Sequence, residues 1–238
     1  MYDLLRAFHL NKPVNGTTNR RNPTITNHSY GYYFLIPITQ ITQINYRGTS
    51  TNVSYTNNSS DLNTIKSSYG FWGGLYNTYV YGSYPTTSSQ YCVFVPYRGG
   101  IAQQADIEDA ITNGIVFVTA CGNNGDTSVS SSHPDYNNTV TFNYQSQSSP
   151  QTYPNQILSY KKGTDPAAVP SAITVGNLDT SAALKMSLSS NDNDQVWVEF
   201  KANSSSHGNN CDIWAAGTSI ISSVYTSQTL KDPRNASY

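Results

Sequence analysis

The chain has 238 residues and a formal net charge of -1, from 13 basic and 14 acidic side chains. Charged residues make up 11% of it, against roughly a quarter in an ordinary soluble domain, and Asn, Ser, Thr and 19 Tyr take their place. A surface so polar and so weakly charged offers no field for a phosphate backbone or an anionic membrane, which argues against nucleic-acid and membrane partners.

The length suits one α/β domain with a real core. The three cysteines, Cys92, Cys121 and Cys211, show no C-x-x-C spacing, which excludes a zinc ribbon and a thioredoxin-type motif. One disulfide with one free thiol stays open, and the expectation is three buried small hydrophobes, the commonest fate of free cysteine. Met1 to Phe8 lacks the basic-then-apolar pattern of a signal peptide, and no run approaches the ~20 apolar residues of a membrane span. The compartment is left open.

Along the chain, Leu4, Leu5 and Phe8 fall at helical spacing and Pro13 ends that helix. Thr24 to Ser29 reads as a strand running into a turn at Gly31. Residues 32–100 shift to Tyr, Thr, Asn, Ser and Gly with short alternating pieces such as Ile41 to Tyr46, a hairpin-rich surface insertion. Tyr91 to Val95 is an apolar strand. Ile101 to Asn113 is a helix with Ile101, Ala105, Ile107, Ala110 and Ile111 in one stripe, closed by Gly114. Ile115 to Ala120 is a continuous β-branched and aromatic run, the pattern of a strand buried on both faces of a parallel sheet. Residues 126–165 read as a long polar loop. Strands are then expected at 172–176, 196–200, 212–214 and 219–221.

Four motifs stand in one order. Ile25-Thr26-Asn27-His28-Ser29-Tyr30-Gly31 resembles the I-N-M-S-L-G strand end of subtilisin-like serine proteases. Asp106 to Gly125, closing on Ala120-Cys121-Gly122-Asn123, resembles their helix, strand and A-A-G-N turn. Val169 to Asp179 resembles Y-P-S-V-I-A-V-G-A-V-D, and Asp212 to Ile220 resembles D-V-x-A-P-G-x-x-I with Ala216 in the proline's place. The insertions also resemble those of phage and marine bacterial subtilases. The fold this resemblance implies is a partial doubly wound, mostly parallel α/β sheet, with residues 1–238 as part of a catalytic domain interrupted at 32–100 and 126–165.

By the same resemblance Asn123 donates its side-chain amide to the oxyanion of a tetrahedral intermediate. A neutral, preorganised donor suits that role, and its loss costs ~10²–10³ in turnover in subtilisin. Ser29, Tyr30 and Gly31 form the edge that pairs with an extended peptide, and Ala120, Cys121 and Gly122 form one wall of the pocket for the residue before the cleaved bond. Main-chain pairing grips any extended peptide, so the implied partner is a peptide or protein substrate. The chemistry requires no cofactor, and a structural calcium is left open.

No D-S-G or H-G-T-H precedes Ser29 and no G-T-S-M-A follows Asp212. The expectation is that Asp, His and Ser of the triad lie outside the chain, which alone cleaves nothing, since a hydroxyl is a weak nucleophile without its own base. The alternative class is a catalytically inactive, subtilase-derived binding or structural module of a surface or virion. Asn27 to Gly31 also approaches a G-x-S-x-G elbow, but Asn27 replaces its first glycine and no helix pattern follows. His9, His28, His133 and His207 are scattered and expected to be solvated or hydrogen-bonded. A metal site from His133 and Asp135 is equally a loop sequence, and metal is left open.

Overall fold

In the computed structural model the described residues are 1–79, 87–98, 101–145, 151–187 and 195–217. The elements, in chain order, begin with α1 (Tyr2–Leu10), the two-residue strands β1 (Val14–Asn15) and β2 (Arg20–Arg21), β3 (Thr24–His28), β4 (Tyr32–Pro37), β5 (Ile41–Tyr46) and β6 (Thr49–Asn52). Then come α2 (Ser59–Tyr69), β7 (Trp72–Tyr79), β8 (Thr87–Tyr97), α3 (Ile101–Thr112), β9 (Ile115–Ala120), β10 (Thr127–Ser128), β11 (Thr139–Gln145) and β12 (Thr152–Ser159). The last are β13 (Ile173–Ser187), β14 (Gln195–Lys201), β15 (His207–Gly208) and β16 (Ile213–Ala216). The chain divides into two units, the first comprising Met1–Gly176 and Ser204–Ile213.

The motif-bearing strands lie side by side in the first unit. β3 pairs parallel with β9 from Thr24↔Ile115 to His28↔Thr119, and the opening residues of β13 pair parallel with β9 from Ile173↔Val118 to Val175↔Ala120. α3 leads into β9, with Gly114 at φ 95° making the break that a residue with a Cβ adopts only under strain. Ile107, Phe117, Val169, Ala172 and Tyr2 form the core beneath. The expected stripe of α3 is partly right: Ile107 and Ala110 are buried and Ala105 is exposed. α1 forms where predicted, but Tyr2 and His9 face inward while Leu4 and Phe8 are exposed. β9 alternates rather than being buried on both faces, since Val116 is 36% exposed.

The expectation of a partial doubly wound, mostly parallel sheet is overturned. Strands take 44% and helices 19% of the structure, in antiparallel and mixed sheets. Each parallel connection needs a crossover of a dozen or more residues, usually a helix, whereas short alternating segments joined by tight turns pair antiparallel. That is how 32–100 and 126–165 fold. β4, β8 and β7 form one antiparallel sheet, and β12, β11, β5 and β6 form another.

These two tracts share a single core. Ile36, Ile41, Ile44, Leu62, Ile65, Val93 and Val95 from the first pack with Val140, Phe142 and Tyr160 from the second. Burying each such aliphatic or aromatic side chain stabilises by about 1.5–3 kcal/mol. The segment 126–165 is therefore no loop: it supplies β11 and β12. α2 was equally unexpected and owes its ends to caps. The Asn58 side chain accepts from the Asp61 N–H at 2.8 Å, and Gly70, at φ 70°, donates its N–H to the Lys66 carbonyl.

In the second unit the later part of β13 pairs antiparallel with β14, from Leu178↔Lys201 to Ser187↔Gln195, with an irregularity between Asp179 and Leu184. The strand expected at 196–200 is thus present, and that at 219–221 lies outside the described residues.

Candidate functional site

Parallel pairing brings the sequence-predicted residues to one end of adjacent strands. Ser29, Tyr30 and Gly31 follow β3, and Cys121, Gly122 and Asn123 follow Ala120 at the end of β9. The Thr119 hydroxyl donates to the His28 carbonyl at 2.9 Å, and the Cys121 N–H donates to the Val175 carbonyl at 2.9 Å, so both chain ends leave the sheet in register. Ser29 and Gly31 are exposed, as is Asn123, while Ala120 and Gly122 are half-buried.

The turn that carries Asn123 is held from one side. Gly122 has φ 113° and Gly125 has φ 62°, both in the left-handed region. The Ser206 N–H donates to the Gly122 carbonyl at 2.9 Å, the Gly125 N–H to the Ser204 carbonyl at 2.8 Å, and the His207 N–H to the Asp126 carbonyl at 3.0 Å. β10 and β15 continue this contact as a short parallel ladder. A main chain fixed this way presents the Asn123 amide from a rigid turn, which an oxyanion donor needs.

The Tyr30 hydroxyl bonds that of Tyr2, and its ring meets His28 edge-on at 5.7 Å. Cys121 is not a free small hydrophobe but is disulfide-bonded to Cys211, which leaves Cys92 as the buried free thiol. The burial of Cys92 pushes its thiol up to about 11.

Behind the turn lies a polar cluster that the sequence reading did not select. The Ser206 and Tyr33 hydroxyls both donate to Asp126 Oδ1, the latter at 3.4 Å. Burial pushes the Asp126 carboxyl above the usual carboxylate range, against the opposing pull of the Ser206 hydrogen bond and the Lys161 ammonium. Burial pushes Lys161 down in turn, and its Nζ donates to the Gly70 carbonyl at 2.7 Å. Asp126 sits directly after the Gly122–Gly125 turn, a position that could have flagged it. Ser206 carries no sequence signal of its own.

The remaining candidates stay apart. Ser29 Oγ donates to Asn27 Oδ1 at 3.1 Å and β4 follows instead of a helix, so no nucleophile elbow forms. His9 Nδ1 meets Thr24 Oγ1 at 2.8 Å, and both are buried. His28 is buried with its ring stacked 3.8 Å from Phe117, and its Nε2 has no partner. His207 Nε2 meets Thr127 Oγ1 at 3.0 Å. His133 Nδ1 is 3.8 Å from Asp135 Oδ2, but Asp135 already holds Arg47 at 2.6 Å, and among the described residues no three His, Cys, Asp or Glu side chains gather to hold a metal ion.

No protein-family model matches the sequence, and no curated protein or solved structure matches it.

Proposed function

We propose that the chain forms the oxyanion-binding and substrate-binding part of a subtilisin-like serine endopeptidase whose Asp-His-Ser triad lies outside these 238 residues. Asn123 donates to the oxyanion, Ser29, Tyr30 and Gly31 pair with the peptide main chain, and Ala120, Cys121 and Gly122 wall the pocket before the cleaved bond. The supporting observation is that the two segments leave adjacent parallel strands at the same end. Ligands of parallel sheets bind beyond the carboxyl ends of the strands. The reaction needs positioned donors and an activated serine, and no cofactor.

Translating the source reading frame on both sides tests this directly. The expected result is D-S/T-G and H-G-T-H upstream and G-T-S-M-A downstream. The complete product then cleaves fluorogenic peptides, and Asn123→Ala lowers kcat by ~10²–10³ with little change in KM. Degenerate motifs, or an unchanged kcat in that variant, reject the reading.

One observation favours the other class, a binding module. Phe34, Tyr97, Phe142, Tyr144, Tyr153 and Ile157 line a groove of about 500 Å³ in the shared β body, with no charged side chain in its lining. Tyr153 and Ile157 are exposed. An aromatic-lined groove whose rim is exposed at Tyr97, Tyr153 and Ile157 suits contact with another molecule. Degenerate triad motifs in the parent frame would move the function to this groove.

A further inference from the structure

Between the two segments proposed to grip a peptide stands one side chain, Tyr33. A Cβ added to Gly31 would lie 3.4 Å from Tyr33 Cε2, and a Cβ added to Gly122 would collide with the Tyr33 hydroxyl. The ring therefore spans from the edge after β3 to the turn after β9. Its hydroxyl is fastened to Asp126 Oδ1, which also accepts from Ser206, and the Ser206 N–H holds the Gly122 carbonyl. Phe94 meets the ring edge-on at 6.4 Å. The far side of Gly31 is closed as well, because Thr164 Cγ2 lies 3.0 Å from the added Cβ. Thr164 is itself pinned there: its hydroxyl donates to the Tyr32 carbonyl at 2.7 Å and accepts from the Tyr32 N–H at 2.9 Å.

Little space is left. Asp126 and Ser206, which hold the Tyr33 hydroxyl, and Cys121 and Thr164 also line a cavity of about 10 Å³, which is room for about one water molecule and for no bulky side chain.

We propose that Tyr33 plugs the pocket for the residue before the cleaved bond and restricts the substrate to peptides with Gly, Ala or Ser at that position. Tyr33 acts as the specificity-determining residue, and Asp126 and Ser206 position it. A large side chain enters only by displacing a ring that is hydrogen-bonded at its tip and packed on its edge, whereas a methyl or hydroxymethyl group needs no such movement. This inference rests on the reading of Ser29–Gly31 and Ala120–Asn123 as a peptide cleft.

The test is an NMR titration of the 238-residue chain with blocked tetrapeptide amides that differ only in the fourth residue, Ala or Phe, following the amide signals of residues 29–31 and 120–123. The Ala peptide is expected to shift those signals, with the Phe peptide weaker by about tenfold or more. Tyr33→Ala opens the pocket and brings the Phe peptide to at least the affinity of the Ala peptide. Tyr33→Phe keeps the ring but releases its tip from Asp126, so the discrimination narrows without vanishing. Tyr33→Leu, which shortens the side chain without emptying the site, narrows the gap even where the alanine variant fails to fold. Equal binding of both peptides to the wild-type chain at those signals overturns the role of Tyr33 while the cleft reading stands. If neither peptide moves those signals at millimolar concentration, the cleft reading fails and this inference with it.

Discussion

Cys121 and Cys211 are joined across 90 residues of chain, and the bond ties the first residue after β9 to the segment that returns as Asp212, whose carboxylate accepts from the Thr174 N–H at 2.7 Å. Closing so long a loop removes much freedom from the unfolded chain. Cys211→Ser is therefore expected to lower stability by about 2–4 kcal/mol. Urea unfolding with and without a thiol reductant checks this: the reductant brings the wild-type chain down to the variant's level and leaves the variant unmoved. A wild-type chain indifferent to reductant would mean that the bond contributes nothing.

Asp126 makes the stability of the site region depend on pH in an unusual direction. Burial raises its native carboxyl above the usual range, so the folded chain holds this proton more tightly than the unfolded chain, whose value is about 3.9. The stabilisation from this group is complete below that value and is lost as pH rises through the native one, and at neutral pH a buried carboxylate weighs against the fold. Asp126→Asn keeps an acceptor for Ser206 and Tyr33 without the charge. The variant should melt higher than wild type at pH 7, with the difference closing as pH falls toward the acid range. A lower melting temperature for the variant at every pH would contradict the assignment.

Much of the motif region was legible because local signals and tertiary packing agree there. β3, α3 and β9 each carry their own pattern, Gly114 marks its own break, and Asn123 stands in a Gly-Asn-Asn-Gly turn whose two glycines take the left-handed backbone. The β body was illegible for the opposite reason. Residues 126–165 show little continuous apolar run, and Val140 and Phe142 become core only through strands from 32–100 that pair with β11. α2 buries Leu62 and Ile65 alone, so its signal lies in the caps Asn58 and Gly70 rather than in periodicity. Tyr33, Asp126 and Ser206 were passed over because 93 and 80 residues of sequence separate the bonded pairs. No local pattern reports such a contact.

His28 gives a second pH dependence, of opposite sign. Its ring is buried against Phe117, and desolvation pulls its pKa below the ordinary value. The unfolded chain therefore takes up the proton first. The stability contributed by the neutral imidazole is present above about pH 6.5 and is lost as pH falls through the window beneath it. His28→Leu retains an apolar body against Phe117 and removes the titration. The variant's stability should stay flatter than wild type between neutral and mildly acidic pH, as followed by urea midpoints. Parallel curves for the two proteins would show that His28 is protonated at no cost in the fold.

The shared core predicts that the tracts 32–100 and 126–165 rise and fall together. Ile65, in α2, and Phe142, in β11, are each essentially inaccessible to solvent and belong to the same cluster, although one comes from each tract. Truncating either leaves a cavity that packed neighbours fill only in part, at a cost of about 2–5 kcal/mol for Ile65→Ala and about 3–5 kcal/mol for Phe142→Ala. Native-state hydrogen exchange separates a common body from two independent appendages. In a common body, Ile65→Ala accelerates exchange at the β11 and β12 amides as much as at β5, and Phe142→Ala does the same for β4 and β8. Loss of protection confined to the mutated tract would show that each folds alone. The antiparallel pairing of β5 with β11, from Asn45↔Thr139 to Ile41↔Phe142, argues for the first outcome, because neither strand can keep that ladder once its partner is released.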